Sequence, residues 1–286
     1  MAEAARNIAT SGGRPVAITD CLNFGSPERP EIMWQFAECI RGISEACLAL
    51  ETPVVSGNVS FYNETEGRAI YPTPTVGMVG IIEHEDLGCD LRFAVPGLDL
   101  VLLGTTREEL GGSEWQQLFV PDALAAPPAV DLGHERALVE LLLALHAGRM
   151  LSAAHDLSNG GLGVALAESS MGGIGCRVEL AGHADDLDAV ALLFSESQAR
   201  AIVACEAGQT QEVLARASTA GVAAMRIGRT ETDVFRIERN GVPLVSTTTA
   251  ELARVWRSAF GLLLGGDSID DVIRGIGEEA PEVLAR

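Results

Sequence analysis

Two α/β domains are predicted for this chain by three features. Short apolar runs alternate with longer segments of helical periodicity, 31 glycines are spread as Gly-Gly and Asn-Gly pairs, and the 286 residues suit two cores of ordinary size. Twenty basic against 40 acidic residues give a formal charge of −20, which repels nucleic acid and anionic membranes and sets both aside as partners. A local phosphate site remains compatible with that charge, because backbone N–H groups and a bound cation supply their own field. The six cysteines include no Cys-x-x-Cys pair and no histidine at metal-finger spacing, so they read as reduced, mostly buried thiols. With no secretory leader and no apolar run of membrane-spanning length, a cytoplasmic protein is expected.

In chain order, the Ala-rich segment 2–10 predicts a helix ended by Ser11-Gly12-Gly13, and 15–19 a strand that delivers Asp20 to a polar loop. Prolines 27 and 30 mark a helix start, and Ile32, Phe36, Ile40, Ile43, Cys47 and Leu50 recur at helical spacing as the face that packs on the sheet. Pro53-Val54-Val55 reads as a buried strand running into a tight Ser56-Gly57-Asn58 turn. Tyr71-Pro72-Thr73-Pro74 reads as a stiff linker before a glycine-punctuated strand at 75–83, and the charged, Pro-Gly-containing stretch 85–97 as the domain boundary. Beyond it come a strand at 98–103, a polar loop at 104–115, an apolar helix at 131–148 and a strand edge that passes into a helix near 152–168. A strand at 201–205, a helix at 209–220, a strand at 222–229, a hairpin at 233–245 around Asn240-Gly241 and a last helix at 251–264 complete the second domain. Divided by residue, the expected units are 1–88, 89–265 and an acidic tail at 266–286, exposed as a short helix or disordered.

Four stretches carry candidate chemistry. Gly57 lets the backbone approach a phosphate, and Asn58, Ser60 and Asn63 offer oxygens to a hard cation or a polar substrate; a plain turn is the alternative. Asp20, at a strand end, is either a ligand-facing carboxylate or a turn cap. In His155-Asp156-Leu157-Ser158-Asn159-Gly160-Gly161, a helix N-terminus faces a loop in which Asp156 suits a metal-bound phosphate, although Asp156 or Ser158 can equally be an N-cap. A lone histidine such as His155 is more often hydrogen-bonded structure than a base. Glu196-Ser197-Gln198 suits substrate contact and simple turn chemistry alike.

Together, Thr19 to Gly25, Val55 to Glu64, Gly104 to Glu114, His155 to Leu162 and Phe194 to Gln198 resemble, in order and spacing, the synthetase subunit of the phosphoribosylformylglycinamidine synthase family. That family turns formylglycinamide ribonucleotide, ATP and glutamine-derived ammonia into the amidine, ADP and phosphate. Its subunit is an internal duplication, and residues 2–262 are similar to its second half, entered partway through an N-terminal-type domain. The resemblance implies a partial N-terminal-type mixed-sheet domain followed by a C-terminal-type α/β sandwich domain of the aminoimidazole ribonucleotide synthetase-like superfamily. It also implies that Asp20 and Gly57 contact ATP, that Asn58 is a Mg²⁺ ligand and that Ser60 touches the ribonucleotide. Asp156, Glu196, Ser197 and Gln198 match motifs whose first-half copies bind metal and substrate, and so are second-copy candidates. The catalytic residues are expected in the absent first half. A glutaminase subunit, a small bridging subunit and that first half are the implied partners. Alternatives are a nucleotide-binding structural half-module without turnover, or another superfamily ligase or kinase such as aminoimidazole ribonucleotide synthetase, selenophosphate synthetase or thiamine-phosphate kinase.

Overall fold

The structure is a computed structural model and describes residues 1–263 and Gly265; the tail at 266–286 lies outside the described residues. The chain opens with α1 (Ala2–Thr10), β1 (Arg14–Asn23), α2 (Pro30–Leu50), β2 (Val54–Ser60), the two-residue strands β3 (Glu64–Thr65) and β4 (Arg68–Ala69), and β5 (Thr73–Ile81). β1 is the middle of a three-stranded sheet, parallel to β2 and antiparallel to β5. Ile18, Leu22 and Phe24 meet Ile32 and Ile43 of α2 in a small core, with Phe36 edge-on to both Phe24 and Phe61.

Three expectations change here. Ser56-Gly57-Asn58 is not a turn after a buried strand: β2 runs straight through it to Ser60, as an edge strand with Val55 67% exposed. Pairing to β1 supplies the backbone hydrogen bonds that override the turn preference of Ser, Gly and Asn. Thr73 and Pro74 are likewise strand rather than linker; β5 pairs on one side only, so a proline there costs no ladder bond to a second neighbour. Ile40 does not pack on the sheet but is exposed, since α2 covers only three strands.

The second unit holds β6 (Asp99–Leu103), α3 (Glu114–Phe119), α4 (Leu132–Ala147), β7 (Ala153–Asp156), α5 (Gly161–Ser170), β8 (Ile174–Glu179), α6 (Ala189–Phe194), β9 (Ala201–Cys205), α7 (Thr210–Thr219), β10 (Ala224–Thr232), β11 (Phe235–Arg239), β12 (Val242–Thr247) and α8 (Thr249–Leu263). Its strands form one mixed sheet in the order β12-β11-β8-β10-β6-β9-β7. Leu100, Leu102, Ile202 and Phe235 join α5 and α6 residues in a core on one face, and Val101, Leu103 and Val203 join α4 and α7 on the other. The expected hairpin closes at Asn240 and Gly241, both with positive φ as a primed two-residue turn requires. Of the cysteines, Cys176 and Cys205 are buried and the other four only partly so, and all six are free thiols.

α1 joins the two units. Ala5 and Ala9 lie in the same core as Leu138, Leu142 and Val203 of the second unit, while the Ser11–Gly13 turn leads directly into β1. Gly12 adopts φ +89°, and a Cβ there would stand 2.5 Å from the Leu87 carbonyl, so the turn is wedged against the start of the connecting segment. That segment is itself fastened: Phe93 is buried in the second core, and Ala154 N–H donates to the Asp90 carbonyl.

Candidate functional site

The β1–β2 pair places the first group of candidates. Asp20 is level with Gly57, Cys21 with Asn58 and Asn23 with Ser60. Because strand side chains alternate, Asp20 and Gly57 share the α2 side of the sheet, while Asn58 and Ser60 belong to the opposite side. A Cβ on Gly57 would lie 2.2 Å from the Asp20 carboxylate, so the glycine is what allows that carboxylate to rest against β2. Cys39 and Cys47 of α2 sit near enough that, after burial, the Asp20 charge is the next cause raising their thiol pKa values. Asp20 itself makes no side-chain hydrogen bond among the described residues, and neither does Asn58. The Ser60 hydroxyl is held locally by the Asn63 amide at 3.1 Å. Asn63 also donates to the carbonyls of Phe24 and Ser60, so this asparagine is a loop clamp and not a free ligand.

Magnesium needs several oxygen ligands in near-octahedral array. Asn58 offers one neutral oxygen, and Cys21, Asn23 and Thr75, which share its side of the sheet, bring no carboxylate. Among the described residues no group of three or more His, Cys, Asp or Glu side chains stands together. By itself Asn58 could supply one neutral oxygen to a cation, and the described residues around it could not complete the set.

The second group converges at the β9 end of the larger sheet. Glu196 accepts the N–H groups of Gly160 and Glu114 at 2.8 and 2.9 Å, and the hydroxyls of Ser197 and Ser195 accept those of Arg107 and Glu109. Arg200, fully buried, donates to the carbonyls of Ser197 and Ser195 and to Thr106 Oγ1. These bonds tie the 104–114 loop, the Gly160-Gly161 helix start and the 195–198 segment into one body. Gly161, at φ +64°, lies where a Cβ would come within 2.4 Å of the Ser195 carbonyl.

Two residues absent from the sequence reading complete this body, both from α1. Arg6, wholly buried, pairs with the equally buried Glu135 of α4 and donates to Gln198 Oε1 at 3.2 Å. The Asn7 amide, oriented to satisfy both groups, places its nitrogen 2.7 and 3.2 Å from the Asp156 oxygens. The sequence does carry a signal for Arg6. It occupies the Ala2, Ala5, Ala9 stripe of an amphipathic helix, where a charge has to be buried and paired.

His155 is not lone. It stands between Asp156 at 3.3 Å and Glu168 at 2.9 Å, and although burial opposes its charge, those two carboxylates outweigh it and raise its pKa to about 9. A folded-state pKa above the unfolded one means that its contribution to stability is full below about pH 6.5 and is lost as pH rises through about 9. Thermal unfolding followed from pH 6 to 10 should show the wild type losing its advantage over His155→Gln across that window; a gap between the two that stays constant with pH would refute the assignment.

A two-domain α/β protein with a strand-borne carboxylate–glycine pair in the smaller unit, and a seven-stranded mixed sheet between helices in the larger, is the class these features define. The chain belongs to the AIR synthase related protein family, matching its N-terminal domain at residues 1–82 and its C-terminal domain at 95–238. It is 47% identical, over 92% of its length, to the phosphoribosylformylglycinamidine synthase subunit PurL of Moorella thermoacetica, covering 36% of that protein. It is 44% identical, over 99% of its length, to the subunit of the same name from an Anaeromyxobacter species, covering 38% of it. The chain thus spans little more than a third of the curated relatives it matches. Among solved structures, T. maritima PurL complexed with FGAR superposes over 87% of the chain and 41% of its own, with TM-score 0.72 at 22% identity. E. coli HypE, a hydrogenase maturation protein, superposes over 86% of the chain and 76% of its own, with TM-score 0.62 at 18% identity. These likenesses establish the fold. Among the described residues, no helix is long and apolar enough to cross a membrane.

Proposed function

We propose that the chain forms part of the ligase that converts formylglycinamide ribonucleotide and glutamine-derived ammonia to formylglycinamidine ribonucleotide, with ATP consumed to ADP and phosphate. The observation that carries this reading is the 47% identity to a PurL subunit, which extends across both domains. The strand register adds that Asp20, Gly57, Asn58 and Ser60 all lie on one strand pair, β1–β2. When bound, ATP activates the amide oxygen as a leaving group. What this chain contributes is orientation: Asp20 and Gly57 against the nucleotide, Asn58 as one oxygen on Mg²⁺, Ser60 toward the ribonucleotide. Positioning and charge neutralisation supply most of the rate in such phosphoryl transfers. The acidic metal ligands and catalytic groups belong to the remainder of the synthetase, and ammonia to a glutaminase partner joined through a small bridging subunit.

The second reading, a nucleotide-binding half-module without turnover, is favoured for the chain by itself, because Asn58 stands without acidic ligands among the described residues. The test is ADP release by the longer synthetase carrying these residues, with ammonium chloride as nitrogen donor. Release that depends on formylglycinamide ribonucleotide supports the ligase. Release without that dependence, or with another acceptor, overturns it.

A further inference from the structure

Ser60 closes β2 level with Asn23, at the point where both strands leave the sheet. Asn63, three residues on, donates its amide nitrogen to the Phe24 carbonyl at 3.1 Å and to the Ser60 carbonyl at 2.9 Å, and the same nitrogen lies 3.1 Å from Ser60 Oγ. Carbonyls accept and cannot donate, so these two fix which end of the amide is nitrogen. Ser60 Oγ is thereby an acceptor toward Asn63. A hydroxyl carries one proton and two lone pairs, and with Asn63 on a lone pair the proton is left to be given. Among the described residues only Asn63 Oδ1 accepts it, at 3.3 Å, which is long for an O–H donor. A ligand oxygen at ordinary hydrogen-bond distance takes that proton in preference.

The turn that brings the amide back to Ser60 is held from the β1 side. Tyr62 takes φ +60°, a left-handed conformation uncommon for an aromatic residue, and its N–H donates to the Gly25 carbonyl. The Asn63 N–H donates to the Phe24 carbonyl, and Gly25 makes room for the hairpin that follows, since a Cβ there would stand 2.6 Å from Ala69 Cβ. The loop after the Asp20 strand and the loop after Ser60 are thus clasped through one asparagine. We infer, on the reading that Ser60 touches the ribonucleotide, that Asn63 is a positioning residue for the ligase, which holds Ser60 Oγ as an acceptor on the protein side and leaves its proton to an acceptor oxygen of the ribonucleotide. Asn63 needs no substrate contact of its own.

The test is a double-mutant cycle on the complete synthetase, with the KM for formylglycinamide ribonucleotide read from ADP release at saturating ATP and ammonium chloride. Ser60→Ala should raise that KM about tenfold, the size of one lost hydrogen bond to a ligand, and Asn63→Ala about fivefold, because the hydroxyl then turns freely. The KM for ATP should stay within about twofold in both, a split that a collapsed loop beside the Asp20 strand would not show. In the Ser60→Ala background, Asn63→Ala should add less than about twofold, since the group it acts through is gone. If Asn63→Ala does not fold, Asn63→Ser, polar but too short to reach Oγ, replaces it in the cycle. Effects that multiply in the double variant, or a wild-type ribonucleotide KM in Asn63→Ala beside an impaired Ser60→Ala, would overturn the positioning role and leave the ligase reading standing. Wild-type ADP release that ignores the ribonucleotide overturns the ligase reading first, and the role of Asn63 falls with it.

Discussion

Asp20→Ala and Asn58→Ala should each lower substrate-dependent ADP formation by the complete synthetase by at least about a hundredfold, the range expected when a group that positions or neutralises a transferring phosphoryl is lost. The two should differ in how they fail. Asp20 rests on the α2 side of the strand pair, against the glycine that makes room for it. Its loss should raise the KM for ATP, and Gly57→Val, whose side chain would take the space of the Asp20 carboxylate, should reproduce it. Asn58 lies on the other side with no hydrogen bond among the described residues, so its loss costs no folding energy that its exposure could hide. It should appear as a higher Mg²⁺ requirement, partly overcome by excess MgCl₂. Steady-state kinetics at varied ATP and at varied Mg²⁺ separates the two, and near-normal turnover in either variant would remove that residue from the site.

How far such positions can be read from sequence depends on what the chain does with its polar groups. In the larger domain β6 and β9, buried along their whole length, and α4, with its apolar stripe, follow from pattern alone, whereas β8 and α6 have no counterpart in the sequence reading. The smaller domain was less legible. Val54 and Val55 look like a buried strand, yet they lie on an exposed edge, because three strands and one helix leave a side uncovered. Ser56-Gly57-Asn58 has the composition of a turn, and only the pairing to β1 reveals a strand. At the second constellation, residue types pointed to ligands, whereas the partners are backbone N–H groups and two α1 side chains some 150 to 190 positions away along the chain. Pattern reading finds local periodicity; it does not find which distant donor reaches a given carboxylate. The sequence reading did not single out Arg6, although a cation on an alanine stripe announces that a counter-charge exists, if not that Glu135 is it.

That pair is the site of the largest stability effect. Glu135→Gln should destabilise the fold by about 3–5 kcal/mol, because it leaves a wholly buried guanidinium with no counter-charge. At roughly 2–4 °C per kcal/mol for a protein of this size, the unfolding midpoint falls by about 10 °C or more. The change is nearly isosteric, and the glutamine oxygen can still accept the Ala199 N–H now bound by Glu135, so lost charge compensation, not lost shape, is what the variant measures. Arg6 Nε and Glu135 Oε2 have no partner among the described residues, so the pair is only partly satisfied even when intact. A partly satisfied buried ion pair contributes less than its Coulomb attraction suggests, since desolvation of both groups opposes it. The double variant Arg6→Met/Glu135→Met, which fills the same space without charge, should therefore be clearly more stable than Glu135→Gln, though below the wild type, because the Ala199 N–H and Gln198 Oε1 lose their partners. Chemical denaturation of the three proteins tests this. If the double variant were the least stable, the pair would be holding the domains together by its charge, and the anchoring role of α1 would belong to Arg6 more than to the alanine stripe around it.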